Sequence, residues 1–260
     1  MKNWTILLII ALLLPVTAFG QFADNGQVNN EYDRADPALS FWASEVVDSE
    51  RGYQDYQQPE LGYASVGTET DMLGPDGSYF CLGDHGHITV TFEQTIMNGP
   101  GDDLVVFENG FAYNGGVFME LGFVEVSSNG VDFSRLPALC RRDTQPGGFD
   151  VSDPALFYNL AGNFLGGTGF DLEDLIIAGD ANVQSGLVDL NAISHVRVVD
   201  VVGDISGPGA TFDFLGRPVA DPYPTPFASS GMDITGVAGI HGGVVATQVR
   251  TLDSIKSLYR

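Results

Sequence analysis

Residues 121–136 read LGFVEVSSNGVDFSRL, and this stretch decides the fold class. Its first part, residues 121–126, is a largely apolar run with Val and Phe, the residue types that favour strands. Asn129-Gly130 follows, a dipeptide typical of the tight turn between antiparallel strands. Residues 131–136 then bring a second set of apolar side chains. The stretch therefore predicts a β-hairpin.

Further strand-like runs lie on both sides of this hairpin. Residues 88–92 alternate apolar and Thr side chains, as in a strand with one buried face. Residues 104–107 read LVVF, a continuous apolar run that predicts a strand covered on both faces. Residues 195–202 and 232–240 are the later strand candidates.

The spacing of these runs predicts the architecture. The chain contains 33 Gly and 13 Pro residues, and such frequent interruption is typical of many short strands joined by turns. We expect an all-β fold, a single jelly-roll-like β-sandwich over residues 36–243 with a few short helices and long loops. Residues 203–230 form one long Gly- and Pro-rich loop, which in a compact domain is usually functional or well tied down.

Three positions carry helix-start signals. Asp at the N-cap and Pro in the first turn favour a helix start. Asp36-Pro37 therefore predicts a short helix over residues 36–47. Asp153-Pro154 and Asp171 predict short surface helices in the same way.

The two ends of the chain are expected to lie outside the sandwich. Residues 1–20 combine Lys2, a short apolar run and the small residues around Ala18-Phe19-Gly20, the pattern of a secretory signal peptide. The apolar run is shorter than the ~20 residues of a membrane span. Residues 21–35 predict a flexible leader and residues 244–260 a C-terminal tail. We therefore expect an exported protein, secreted or at the cell surface, that does not span the membrane.

The charge balance restricts the partners. The chain has 34 acidic against 11 basic residues, a formal net charge of −23. Such a charge repels nucleic acid and anionic lipid and attracts cations. Two interpretations stay open, a surface charged for solubility and a specific cation site.

Acidic and amide side chains flank the predicted strand at residues 104–107. Calcium takes six to eight oxygen ligands, and loops at strand ends can supply them. We therefore expect a structural calcium ion here, helped by a carboxylate from a neighbouring strand. The candidate ligands are Asp102, Asp103, Glu108, Asn109, Asp200 and Asp233. The alternative is a solvated turn with strand-end caps.

The two cysteines, Cys81 and Cys140, leave two readings open. In an oxidising compartment they are candidates for a disulfide. The other reading is two separately buried thiols.

Two further sets of side chains bear on function. Glu120 and Glu125 suggest a glycosidase pair, but their odd spacing places them on opposite faces of a strand. Loop aromatics suit stacking on sugars or pinning the loops onto the sandwich. They are Tyr53, Tyr56, Tyr63, Tyr223 and Phe227.

Five segments carry a resemblance to known proteins. They read CLGDHGHITVTF (81–92), NGPGDDLVVFEN (98–109), ELGFVEVSSNGVDF (120–133), HVRVVD (195–200) and PTPFASSGMDI (224–234). Together they resemble a family of uncharacterised bacterial secreted and cell-surface proteins that often carry C-terminal sorting tails. The hairpin and the HVRVVD segment also resemble galactose-binding-like jelly rolls. That resemblance implies a sandwich that often binds a structural cation and sometimes a glycan at its loop end.

These observations lead to one leading function and two alternatives. We expect a secreted or cell-surface non-catalytic binding module, stabilised by calcium, that recognises a glycan or another extracellular polymer. The alternatives are a calcium-dependent carbohydrate-active enzyme and a purely structural adhesion or surface-layer protein.

Overall fold

The structure, a computed structural model, describes residues 22–243. Its strands are β1 (Glu31–Tyr32), β2 (Phe41–Trp42), β3 (Glu45–Glu50), β4 (Phe80–Cys81), β5 (His87–Ile96), β6 (Leu104–Glu108), β7 (Phe111–Tyr113), β8 (Gly116–Phe118), β9 (Gly122–Ser127), β10 (Ser134–Arg135), β11 (Leu139–Cys140), β12 (Phe157–Tyr158), β13 (Leu160–Ala161), β14 (Gly167–Phe170), β15 (Ile193–Asp200), β16 (Asp233–Gly239) and β17 (Gly242–Gly243). The helices are α1 (Glu173–Ala178) and α2 (Ala181–Ser185), with 3-10 turns at Pro59–Leu61, Glu69–Met72 and Pro154–Leu156. The predicted signal peptide (1–20) and tail (244–260) lie outside the described residues.

Two antiparallel sheets form the sandwich. The first has the order β1-β14-β6-β16-β2, with β4 also paired to β16. The second has the order β10-β9-β15-β5-β17, with β13 and β3 paired to β9 and β5. Six of the strands, β5, β6, β9, β14, β15 and β16, alternate between the second and the first sheet along the chain. This arrangement confirms the predicted all-β, jelly-roll-like sandwich.

The main core lies between the two sheets. Val90, Val124 and Val196 of the second sheet and Val106 and Val237 of the first belong to one buried apolar cluster. Alternation along each strand produces this cluster, because every second side chain points to the same face. Burial of each such side chain stabilises the fold by about 1.5 to 3 kcal/mol.

Strand β6 is buried on both faces, as its LVVF run predicted. All five of its residues are buried. Val105 and Phe107 point away from the main core into a smaller cluster with Tyr32 and Trp42. The N-terminal segment is therefore the second cover of this strand.

The flexible leader predicted at residues 21–35 is not what the structure shows for residues 22–35. β1 pairs with β14, and Phe22 is only 5% exposed. The guanidinium of Arg34 lies 4.7 Å from the centre of the Phe107 ring. The polar composition of residues 22–35 did not predict these contacts. Few side chains of the segment make them, and the residues that they contact are distant in the sequence.

The helix predicted at residues 36–47 is wrong, because a turn at Asp36 is followed by the strands β2 and β3. β2 pairs with β16 at one edge of the first sheet, and β3 pairs with β5 in the second. Asp36 does cap, but it caps a turn in which its carboxylate accepts the N–H of Ala38 at 2.8 Å. Pairing of β2 and β3 with the edges of the two sheets therefore outweighs the local helix preference of Asp36-Pro37.

The hairpin at residues 121–136 is present, with a wider turn than Asn129-Gly130 alone predicts. β9 and β10 pair with Val126 opposite Ser134. The intervening turn is held by the Ser127 hydroxyl and the Asn129 amide, which accept backbone N–H groups within it. The turn therefore joins two strands of the second sheet.

The predicted helix starts at Asp153 and Asp171 are confirmed, since a 3-10 turn (Pro154–Leu156) follows the first and α1 follows the second. Asp153 accepts the N–H of Ala155 at 3.0 Å, and Asp171 accepts that of Glu173 at 2.9 Å. None of the helices that residues 22–243 form could span a bilayer.

Residues 203–230 form the long loop that was expected, and polar contacts tie it down. The hydroxyl of Tyr56 donates to Asp204 at 2.7 Å, and that of Tyr223 donates to Asp55 at 2.9 Å. Val219 and Ala220 pack into a second apolar cluster with Phe123 of β9. This loop covers the outer face of the second sheet, next to the site described below.

Candidate functional site

Acidic side chains from both sheets meet at one rim of the sandwich. Glu108 ends β6, and Asp233 begins β16 beside it. Asp200 ends β15 opposite Gly122, two residues after Glu120. In an antiparallel pair the end of one strand lies against the start of the next, so these four acids share a rim.

Two loops add an acid each to this group. Asp84 follows β4, and Asp221 lies in the long loop. We call the six residues the carboxylate cluster: Asp84, Glu108, Glu120, Asp200, Asp221 and Asp233. Every member is at least nine-tenths buried, with exposed fractions between 1% for Asp200 and 9% for Asp233.

Backbone N–H groups satisfy part of the cluster. Asp200 accepts from Met232 at 2.8 Å and from His85 at 3.2 Å. Asp221 accepts from Leu121 at 3.1 Å, and Asp84 accepts from Tyr56 at 2.8 Å. Loop and strand-end backbone therefore orients these three carboxyl groups.

Two oxygen atoms of the cluster have no hydrogen-bond partner within the described part of the chain. They are Oε2 of Glu108 and Oδ1 of Asp233, and both are buried. A buried acceptor without a donor costs about 1–3 kcal/mol, and more when it is charged. These atoms are therefore the strongest single indication of a binding site.

Positive side chains do not compensate the cluster. Among residues 22–243, no Arg, Lys or His forms an ion pair with any of its six members. Burial raises the pKa of Asp84 and of Asp233 to about 6. Burial, and then the neighbouring carboxylates, raise the pKa of the other four well above the usual range.

A cavity of about 190 Å³ opens onto the cluster. Glu108, Glu120 and Asp233 line its inner part, together with the amide of Asn109. Its rim is aromatic and consists of Phe111, Phe118, Phe149 and Phe227. Phe149 and Phe111 are 68% and 52% exposed, so their rings are free for contact.

The rim residues are held in pairs. Phe111 of β7 stacks on Phe118 of β8 with ring centres 5.0 Å apart. Phe149 and Phe227 come from two different loops, and their ring centres lie 5.6 Å apart. Phe227 is the one loop aromatic from the sequence analysis that lines this cavity.

A larger groove lies on the other side of Glu108 and Asn109. Its volume is about 730 Å³, and both residues line it as well as the cavity. Tyr32, Arg34 and Phe107 form other parts of its wall. Cavity and groove are therefore adjacent along one rim of the sandwich.

The structure separates the predicted calcium ligands into two groups. Glu108, Asp200 and Asp233 belong to the carboxylate cluster, and Asn109 lies beside it with its N–H donating to the carbonyl of Asp233 at 3.1 Å. Asp102 and Asp103 lie at the other end of β6. A strand of this length places them roughly 16 Å from Glu108.

Asp103 acts as a strand-end cap, whereas Asp102 accepts hydrogen bonds from the side chains of Asn30 and Tyr32. Asp103 is fully buried and accepts from the N–H of Gly99 at 2.7 Å and of Leu172 at 2.9 Å. It also pairs with Nδ1 of His241 at 2.8 Å. The alternative reading of this turn is the one that the structure favours.

The arrangement is not that of a ready-made metal centre. In the described range, no three His, Cys, Asp or Glu side chains converge in the geometry that holds a metal ion. The predicted calcium ion consequently stays a proposal.

The disulfide candidates are two free thiols in the structure. Cys81 lies in β4, where it pairs with Asp233 of β16. Cys140 lies in the second apolar cluster, with its Sγ 3.5 Å from the carbonyl of Arg142. The reading of two separately buried thiols is the one observed, because each sulfur packs in its own environment.

Glu120 and Glu125 do not converge, as their spacing predicted. Glu125 points to the other side of the sheet and pairs with Arg135 at 2.7 Å. Glu120 instead joins the carboxylate cluster, which sequence reasoning did not predict. Asp84 and Asp221 were also missed, since each lies in a loop without periodicity.

The remaining loop tyrosines mostly fix loops. Tyr56 and Tyr223 donate to buried aspartates of the long loop and its neighbour, and Tyr53 stacks on Tyr63 at 4.6 Å. Comparison of the chain with protein-family models, with curated proteins and with solved structures finds no match.

Proposed function

We propose that this chain is an exported, non-catalytic binding module, stabilised by calcium, that recognises a glycan or another hydroxyl-rich extracellular polymer. One observation carries the proposal: a cavity with buried carboxyl and amide groups inside and exposed phenyl rings at its mouth. Ligand sites combine apolar walls with a few polar groups in this way. A sugar ring has both kinds of surface, hydroxyl groups and an apolar face of C–H groups.

The neighbouring groove supports a polymer as the ligand. Glu108 and Asn109 line both spaces, so one chain can occupy the cavity with one unit and the groove with the next. Tyr32 and Phe107 supply aromatic surface in the groove. Export follows from the signal-like residues 1–20, and the net charge of −23 argues against polyanionic partners.

A carbohydrate-active enzyme is the second candidate, and the cavity gives it a specific basis. Glu108 and Glu120 both line the cavity, and burial raises the pKa of each well above the usual range. A general acid in glycoside hydrolysis needs a raised pKa of this kind. Activity measurement separates the two functions.

A glycan array followed by calorimetry tests the proposal. We expect wild-type protein to bind a glycan, and we expect Phe149→Ala to weaken binding about tenfold, or about 1.4 kcal/mol, because it removes the most exposed ring of the rim. Phe212→Ala is the control, since Phe212 is 57% exposed and lies outside both spaces. The same samples are assayed for release of reducing sugar.

Three results would overturn the proposal. The first is failure to bind any glycan or extracellular polymer on the array. The second is equal weakening by Phe149→Ala and Phe212→Ala. The third is hydrolysis of a bound glycan that Glu120→Gln abolishes, which would assign the enzyme instead.

A further inference from the structure

The carboxylate cluster needs protons or an added cation to neutralise it, because no positive side chain of the described residues pairs with it. Its six acids are at least nine-tenths buried, and within residues 22–243 they have no Arg, Lys or His partner. An isolated carboxylate is costly to bury unless it is paired, protonated or bound to a metal.

The two oxygen atoms without hydrogen-bond partners indicate where a cation would bind. Oε2 of Glu108 and Oδ1 of Asp233 are buried and accept no hydrogen bond. These residues are 7% and 9% exposed, and both line the cavity together with Glu120. We infer that Glu108, Glu120 and Asp233 bind a divalent cation of the calcium type at the inner end of this cavity.

The chemistry of the donors selects the ion. Carboxylate oxygens are hard ligands, and calcium accepts six to eight of them in flexible geometry. Magnesium demands a stricter octahedron and retains its waters. Zinc prefers nitrogen and sulfur ligands, whereas the three proposed ligands offer carboxylate oxygens.

The cation site requires a local adjustment of side chains. The three carboxyl groups do not meet at one point in the structure, so binding must rotate the side chains of Glu108 and Glu120 toward Asp233. Asp200 and Asp221 are already oriented by backbone N–H groups. Their charges add to the attraction without direct contact.

The position of the ion has a consequence that rests on the proposed function. The same cavity would hold the glycan, so the ion would face the ligand's hydroxyl groups. Glycan binding is then expected to need calcium directly, beyond any effect of calcium on stability.

The primary test uses calcium alone. Protein treated with a chelator and then dialysed is titrated with CaCl₂ by calorimetry, and its melting temperature is measured with and without the ion. We expect saturable binding and a rise of several degrees in melting temperature, because a ligand that binds only the folded state stabilises it. Asp233→Asn and Glu120→Gln should each weaken calcium binding at least tenfold.

Asp102→Asn is the matched control, since Asp102 lies at the opposite end of β6 and hydrogen-bonds Asn30 and Tyr32. It removes the same charge and should leave calcium affinity unchanged. The cluster variants should fold, because each removes a buried charge. Their melting temperatures in chelator should equal or exceed that of the wild type.

Five outcomes decide the inference. No calcium heat and no thermal shift in the wild type would overturn it, as would normal affinity in both cluster variants. Tighter binding of ZnCl₂ or MgCl₂ than of CaCl₂ would overturn the assignment of the ion. Calcium binding without glycan binding would support the cation site and contradict the proposed function alone. Glycan binding that persists in chelator would overturn the direct role of the ion.

Discussion

Glu108 and Asp103 belong to the same stretch of chain, and their surroundings give the two carboxyl groups different roles. Asp103 accepts two backbone N–H groups and contacts Nδ1 of His241, so both of its carboxylate oxygens have hydrogen-bond partners. Glu108 has one carboxylate oxygen without a hydrogen-bond partner. Burial raises the pKa of Glu108, and the nearby carboxylate of Asp233 raises it further. A cation therefore binds more favourably at Glu108, whose carboxylate lacks a partner, than at Asp103.

The two thiols offer a test at the same scale. Cys81 and Cys140 are free and buried, and burial raises the pKa of each, so neither is a ready nucleophile. We expect native protein to leave DTNB unreacted and denatured protein to release two equivalents without prior reduction. Denatured protein that reacts only after treatment with a reductant would show a disulfide and contradict the structure.

Residue type and position predicted part of the site. Glu108, Asn109, Asp200 and Asp233 were nominated because acids and amides at strand ends are natural ligands. Asp102 and Asp103 lie apart from these four residues, because they precede β6 and Glu108 ends it. The contribution of Glu120 and Asp221 depends on the stacking of two sheets and a long loop, which no local pattern encodes.

The strands divide in the same way at the scale of elements. β6, β9, β15 and β16 were predicted because their length and apolar pattern are local properties. β1 and β2 have two residues each, too few to show a period. They are defined by the edges of β14 and β16, which lie far away in the sequence.

The N-terminal segment provides the test at this scale. The ring of Phe22 meets that of Phe214 edge to face at 5.3 Å, and the side chain is 5% exposed. We expect Phe22→Ala to lower the free energy of unfolding by about 3 kcal/mol, measured by urea denaturation. Val28→Ala, at a position 51% exposed, is the control and should change it little. If both variants changed the free energy of unfolding equally little, the result would support the prediction that residues 22–35 form a flexible leader.

At the scale of the whole molecule, the sandwich buries a group of acidic side chains at one rim. Most of the 34 acidic residues lie on the surface, where water screens them. The carboxylate cluster instead lies where both sheets and the long loop meet, and water screens it less because its side chains are at least nine-tenths buried. The stability of the entire domain is thereby linked to whatever neutralises the cluster, protons or a cation.

This linkage predicts a pH dependence whose sign follows from the raised pKa values. Asp84 and Asp233 have a pKa of about 6 in the folded protein, against ~4 in an unfolded chain. Between these values the folded state holds more protons, so stability falls as the pH rises. The other four cluster acids act in the same direction, because burial raises their pKa values as well.

In chelator, we therefore expect a larger free energy of unfolding at pH 5 than at pH 8, measured by urea denaturation. Calcium should stabilise the protein more at pH 8 than at pH 5, because the ion and protons compete for the same carboxylates.

General repulsion among surface charges would act in the same direction, so Asp233→Asn is compared with Asp102→Asn. Both remove one negative charge, but only the first removes a cluster member with a pKa raised to about 6. The first variant should lose part of the pH dependence and the second should keep it. Identical profiles would mean that the repulsion arises from the surface and that the cluster does not control stability.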